Sequence, residues 1–293
     1  MISASLVKEL REQTGAGMMD CKKALTECDG DIDKAIDWLR ESGKVKAEKK
    51  GNRIAAEGLS RVKAEGNTAV LFEMNSETDF VAKNENFVEL LNKVEAALLA
   101  NKPADLDAAL NMNVDGETLA ETIANATATI GEKISFRRFA VVEKADDEFF
   151  GAYMHMGGKI SALAVVKGGS DATAKNIAMQ VASMNAQYIS RDDMPAEIVE
   201  RERNVQLEIL KNDEALMSKP EKVRMGIIEG RISKQLQDLC LVDQIYFLNP
   251  EQKVKQYLKE EKAEMVSFVR YIVGEGMEKR EDNFAEEVAN MTK

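Results

Sequence analysis

An internal repeat constrains the fold of this chain more than any other feature of its sequence. Two segments align without a gap, and six pairs of residues within them are identical. The pairs are Gly66 and Gly158, Leu71 and Leu163, Asp79 and Asp171, Ala82 and Ala174, Lys83 and Lys175, and Asn84 and Asn176. Each copy has a glycine turn, then an apolar run typical of a strand, then a helical segment. Two copies indicate a duplicated α+β core, because solenoid proteins stack more repeats than this.

In the first copy, the residues between strand and helix, 77–83, read ETDFVAK. They place the carboxylate of Asp79 beside the aromatic ring of Phe80 where the chain turns. In one interpretation, Asp79 caps the following helix and Phe80 packs back on it as a hydrophobic staple. The second copy keeps the acid as Asp171 but has Ala172 in place of the aromatic residue. A staple required by the turn would have stayed large, so the comparison favours an exposed Phe80 that docks on another molecule.

Composition excludes several classes of protein. The chain has 293 residues, 44% of them hydrophobic and 31% charged, which predicts two or more folded domains. No apolar stretch is long enough for a membrane span, and no signal region begins the chain, so we expect a cytoplasmic protein without a membrane partner. The formal net charge of −11 argues against direct nucleic-acid binding, which needs clustered Lys and Arg.

The sequence carries few of the residues that catalytic and metal sites require. His155 is the single histidine, and the three cysteines, Cys21, Cys28 and Cys240, are scattered, so neither a zinc site nor a disulfide framework is indicated. The glycine-rich residues 151–160 lack the glycine spacing and the final Ser or Thr of a phosphate loop. We therefore expect a binding protein that is not an enzyme and uses no cofactor or metal. His155, beside a glycine turn, is either an incidental polar contact or a partner contact.

Residues 1–53 are predicted to form a small helical unit. The apolar spacing predicts three short helices, at residues 5–13, at residues 18–28 and from Ile32, similar to a ubiquitin-associated domain. Gly43 is expected to end the third helix, and the charged residues that follow it are interpreted as a solvated linker.

The rest of the chain divides into a duplicated core, an insertion and a tail. The predicted strands at residues 69–74, 134–142, 160–166 and 265–273 give an α+β fold with antiparallel sheets, and a helix is predicted from about Pro250. An antiparallel coiled hairpin is predicted from two charged helices with apolar stripes that include Val205, Ile209 and Val223. The expected domains are core repeat 1 at 54–139, core repeat 2 at 140–194 and 240–274, the hairpin at 195–239, and a C-terminal helical module at 275–293.

Three motifs together resemble the bacterial elongation factor Ts family, the guanine-nucleotide exchange factors of elongation factor Tu. They are LREQTGAGMMDCKKAL at residues 10–25, ETDFVAK at 77–83 and VGEGMEK at 273–279. The resemblance spans nearly the whole chain. It implies a helical N-terminal domain, a duplicated α+β core, an inserted coiled hairpin and a C-terminal helix.

The resemblance also implies a partner and a mechanism. The partner is the GTPase elongation factor Tu, both GDP-bound and nucleotide-free, and a homodimer or a complex of two chains with two GTPases is left open. The resemblance implies that a tip intrudes beside the nucleotide and dislocates the bound magnesium, so that GDP is released and exchanged for GTP. This tip is formed by Thr78, Asp79, Phe80 and Val81. Anchoring of the GTPase is assigned to Met18, Met19, Lys22, Lys23, His155 and the last helix with Phe284.

Two other functions are compatible with the residues alone. A ubiquitin-associated-type adaptor or scaffold would use the N-terminal helices and leave the tip incidental. A coiled-coil assembly protein would use the hairpin to dimerise. Faster GDP release from elongation factor Tu would distinguish exchange from both.

Overall fold

The protein, described here at residues 2–278 by a computed structural model, begins with three helices around a small core of their own. Ser3 caps the first helix and Asp31 the third, each accepting a backbone N–H three residues ahead. Val7, Leu10 and Leu25 are buried where the helices meet. The predicted three-helix unit is confirmed, and its helices are α1 (Ala4–Thr14), α2 (Met18–Glu27) and α3 (Ile32–Lys50).

The prediction that Gly43 ends the third helix is wrong. Helix α3 continues to Lys50, and Gly43 is buried within it, where a Cβ atom would lie 3.4 Å from Cβ of Ala128. The glycine permits close helix packing and does not act as a cap. The expected solvated linker is therefore largely helical, and two of its lysines form ion pairs: Lys44 Nζ lies 2.9 Å from a carboxylate oxygen of Glu121, and Lys46 Nζ lies 2.7 Å from one of Asp20.

The first repeat forms a three-stranded antiparallel sheet covered on one face by helices. Its elements are β1 (Glu57–Glu65), β2 (Thr68–Ser76), α4 (Glu85–Asn101), α5 (Leu106–Asn111), β3 (Asn113–Val114), β4 (Glu117–Thr118), α6 (Leu119–Ile130) and β5 (Ser135–Glu143). The sheet order is β1-β2-β5, and β2 is buried throughout. Phe72 of β2 packs in the core under α4, whereas Leu71 faces the other sheet. Strand β1 was not predicted, because charged residues interrupt its apolar alternation.

The second repeat has the same sheet topology and contains the insertion. Its elements are β6 (Glu148–His155), β7 (Ile160–Gly168), α7 (Asp171–Ser183), α8 (Ala196–Lys211), α9 (Glu214–Met217), α10 (Glu221–Leu236), β8 (Ile245–Tyr246), β9 (Asn249–Lys253), α11 (Val254–Glu260) and β10 (Ala263–Ile272). The order β6-β7-β10 matches β1-β2-β5, which confirms an α+β core with antiparallel sheets. The helix predicted from Pro250 begins four residues later, because residues 249–253 pair with β8.

The two sheets pack face to face, so the repeats share a core. Val62, Leu71 and Leu163 meet between them. At one edge of this interface the buried hydroxyl of Ser60 lies 2.8 Å from Oγ of Ser161 and 2.9 Å from the carbonyl oxygen of Gly158. Since buried hydroxyls need partners, these contacts fix how the sheets are aligned.

Helices α8 and α10 form the predicted hairpin, and its two ends are close together. Leu210, Ile228 and Ile232 are buried in its core. Where the hairpin joins the sheet domain, Gln187 N–H donates to Leu239 O at 2.9 Å, and Leu241 N–H donates to Tyr188 O at 2.8 Å. Part of the predicted apolar stripe is wrong, because one partner helix covers only one side of each helix and leaves the outer side exposed at Val205, Ile209 and Val223.

None of the helices at residues 2–278 is both long and apolar enough to cross a membrane. The predicted C-terminal helix, with Phe284, lies outside the described residues.

A buried carboxylate joins the two repeats. Glu73 of β2 is fully buried and accepts from Gly274 N–H at 2.8 Å, Arg137 Nη1 at 3.0 Å and Arg138 Nε at 2.6 Å. A bulge in β5 lets two consecutive arginines reach one carboxylate, although side chains normally alternate between faces. Burial alone would raise the pKa of Glu73, but hydrogen bonds from Gly274, Asn75 and the two arginines outweigh it and lower that pKa.

We expect Glu73→Gln to lower the free energy of unfolding at pH 7 by about 3 kcal/mol, because it leaves buried donors and two arginines without their anion. Since the pKa of Glu73 is lower in the folded state, its contribution is present above the ordinary carboxyl pKa and is lost as pH falls through the lowered value. Urea unfolding at neutral pH and at several pH values below about 5 measures both effects. Equal stability at pH 7 and an equal loss on acidification in both proteins would contradict this role.

Candidate partner-binding tip

The strand-to-helix connection of the first repeat ends in an exposed tip on a buried base. Phe80 is 81% exposed, and Asp79 beside it is also exposed. Val81 is only 5% exposed and packs into the core under α4. A short 3₁₀ turn over Val81–Lys83 follows, in which Lys83 N–H donates to Phe80 O at 3.1 Å. One residue of the motif therefore anchors the turn while its two neighbours project.

The interpretation of this segment as a cap and staple is wrong. The cap of α4 is Asn84, whose Oδ1 accepts from Asn86 N–H at 2.9 Å. Because Phe80 is exposed, it does not pack back on the helix. The exposure predicted from the comparison with Ala172 is observed.

Side chains from distant parts of the chain hold the base of the tip. Thr78 donates its N–H and its hydroxyl to the carboxylate of Glu132, at 2.9 and 2.6 Å. Glu77 accepts from Lys133 N–H at 2.6 Å and from Arg53 Nη1 at 3.2 Å. Glu132, Lys133 and Arg53 could not be predicted from the sequence, because nothing in their local sequence marks them as neighbours of the tip.

The second repeat has no such projection at the aligned position. Ser170, which aligns with Thr78, caps α7 by accepting from Thr173 N–H at 3.2 Å. Asp171 then begins the helix, and Ala172 follows in its first turn. The same strand-to-helix connection is thus a direct helix start in one repeat and an exposed turn in the other.

The other predicted site residues lie on separate surfaces. At the start of α2, Met18 is 60% exposed and Met19 is 74% exposed. Lys22 and Lys23 are exposed on the same helix. His155 ends β6 and is half-buried, with Nδ1 lying 3.5 Å from the hydroxyl of Tyr153. Phe284 lies outside the described residues.

The arrangement suits binding through exposed side chains. The tip consists of one carboxylate and one aromatic ring with open surroundings, a combination that can contact a second molecule. A cleft of about 580 Å³ lies elsewhere, between the three-helix unit and the first repeat. The charged groups around it are paired with one another, as in the 2.9 Å contact between Arg40 and Glu117.

Comparison with known families assigns the chain. The family model described as elongation factor TS matches residues 77–275. The match begins within the tip motif and ends at Glu275, whose neighbour Gly274 donates to Glu73. It includes β5 of the first sheet, the whole second sheet and the inserted hairpin. Since it covers well over half of the sequence, the chain belongs to the elongation factor Ts family, which acts in translation.

Proposed function

We propose that this chain binds elongation factor Tu with GDP bound and promotes release of GDP and its exchange for GTP. The observation that carries the proposal is the exposed pair Asp79 and Phe80 on a base held by Glu132 and Val81. The contacts at the base of the tip matter, because a side chain that displaces groups in a partner must itself be held in position. The proposed activity works by binding, and no bond is made or broken in it.

The proposed mechanism is competition for the groups around the bound nucleotide. Magnesium bridges the nucleotide phosphates to a GTPase, so loss of its coordination weakens nucleotide binding. The tip would intrude beside this site and dislocate the magnesium. Because linkage is reciprocal, a factor that binds the nucleotide-free GTPase more tightly must weaken nucleotide binding by the same factor.

We assign anchoring to surfaces away from the tip. Met18 and Met19 offer flexible apolar contacts, and Lys22 and Lys23 add positive charge beside them. His155 would contact a different domain of the GTPase, and Phe284 would contribute from the C-terminal module. Separate anchors would hold the complex while the tip acts on the nucleotide site.

Phe80→Ala should slow GDP release from elongation factor Tu by about tenfold, equivalent to about 1.4 kcal/mol of lost coupling. The change removes the exposed ring and leaves the hydrophobic core intact, because Phe80 is not one of the core residues. Stopped-flow release of a fluorescent GDP analogue measures the rate, and thermal unfolding checks the fold.

The second repeat supplies the matched control. Ala172→Phe places the same ring at the aligned position, at the start of α7, where no turn projects. Combined with Phe80→Ala, it should not restore exchange. Normal release by Phe80→Ala with intact binding would rule out intrusion by the ring.

Met18→Asp combined with Met19→Asp should weaken association with elongation factor Tu by about tenfold or more, because charge would replace exposed apolar contacts. This test is cleaner than deleting residues 1–50, which would uncover the face of α6 that packs on α3. Met217→Asp, at an exposed methionine of the hairpin, is the control. Titration calorimetry measures affinity, and equal affinities for all three proteins would refute the anchor.

Replacement of residues 195–239 by a short glycine linker should leave exchange nearly intact and alter any self-association. The segments that flank the hairpin, at residues 188–189 and 240–242, are hydrogen-bonded to each other, so a short linker can span the gap without straining them. GDP release and light scattering are the measurements. A folded deletion variant as slow as Phe80→Ala would place the hairpin in the GTPase-binding surface.

A further inference from the structure

Glu132 controls the base of the tip from a turn that is distant in sequence. It is half-buried between α6 and β5, and each of its carboxylate oxygens accepts from Thr78. One bond comes from the backbone N–H and the other from the side chain. Two charge-assisted hydrogen bonds to one residue fix the orientation of its peptide as well as its position. Glu132 therefore holds the side chain of Thr78 and the peptide that enters it, while the hydroxyl of Ser76 donates to Thr78 O at 2.8 Å on the other side.

The same turn also connects the tip to the three-helix unit. Lys133, the next residue, donates its N–H to Glu77 and its ammonium group to the carbonyl oxygens of Gly51 and Arg53, at 2.6 and 3.0 Å. The guanidinium group of Arg53 returns to Glu77. The turn that contains Glu132 and Lys133 thus holds both Glu77 and Thr78, the two residues that precede the exposed pair.

In the second repeat, a glutamate in the corresponding turn binds a different residue of the strand-to-helix connection. Glu261 lies in the corresponding turn, between α11 and β10, and accepts from the hydroxyl of Thr173 at 2.9 Å. That bond is made to a residue inside α7, so Ser170 remains available to cap the helix, which starts at Asp171. In the first repeat, Glu132 instead binds Thr78, the residue that aligns with Ser170, and α4 starts only at Glu85.

We propose that Glu132 is a positioning residue for Phe80. By holding Thr78, it diverts the chain from a direct helix start into the exposed turn that carries the aromatic ring. This inference rests on the exchange function proposed above and adds to it a residue outside the tip motif. Glu132 acts through Phe80, and a displacement of about 1 Å at such a group is enough to lose much of its effect.

The test is the release of a fluorescent GDP analogue from elongation factor Tu at saturating concentrations of the full-length chain. Glu132→Ala should lower the maximal release rate by about tenfold while the half-saturating concentration stays within about twofold, because the anchors are unchanged. In a Phe80→Ala background, the same substitution should change the rate by less than about twofold, because its target is gone. A purely structural role would not produce this dependence on Phe80.

Two further variants complete the design. Glu261→Ala removes the corresponding contact in the second repeat and should leave the release rate unchanged. Thr78→Val removes the hydroxyl donor to Glu132 with little change of shape, so it tests the same contact if Glu132→Ala does not fold. It should also slow release in a Phe80-dependent manner.

The outcomes separate this inference from the function on which it rests. Slow release by Phe80→Ala together with normal release by both Glu132→Ala and Thr78→Val would overturn the positioning role and leave exchange standing. Equal losses for Glu132→Ala in both backgrounds would overturn it as well. Normal release by Phe80→Ala itself would overturn the exchange mechanism and the positioning role with it.

Discussion

The buried carboxylate of Glu73 binds parts of the chain that belong to different repeats. Its partners are Arg137 and Arg138 on β5, Asn75 on its own strand, and Gly274 just beyond β10. A charge in a dry interface is tolerated only when its hydrogen bonds are complete, so the strands around it have little freedom to shift. Arg138 also donates to Ile272 O at 2.9 Å, which ties β5 directly to the end of β10.

The tip depends on this arrangement because β2 continues from Glu73 to Ser76, just before the tip begins. Val81, which follows the exposed residues Asp79 and Phe80, is buried in the core, and Thr78, which precedes them, is hydrogen-bonded to Glu132. The protein thus combines a fixed sheet interface with a small exposed group at its edge. Such a group can act on a partner because the surrounding contacts resist its displacement.

Much of the fold could be predicted from the sequence, and the failures have physical causes. The central strands and their helices were found because apolar residues cluster in them and the repeat shows them twice. Strands β1 and β6 were missed because charges or glycines break their alternation. The local sequence around Gly43 is compatible with a helix cap, because a glycine that ends a helix and one that allows a second helix to pack closely have the same local sequence.

At the candidate site, the amino-acid pattern is enough to put an acid and an aromatic residue side by side between a strand and a helix, and it contains the family's motifs. It also indicated, through Ala172, that the turn does not need the ring of Phe80. Which residues support that turn depends on how the folded elements pack. Thr78 and Glu132 lie 54 positions apart, and they meet because α6 and β5 fold back beside β2. Hydrogen bonds between such distant residues depend on the packing of whole elements, which no local pattern encodes.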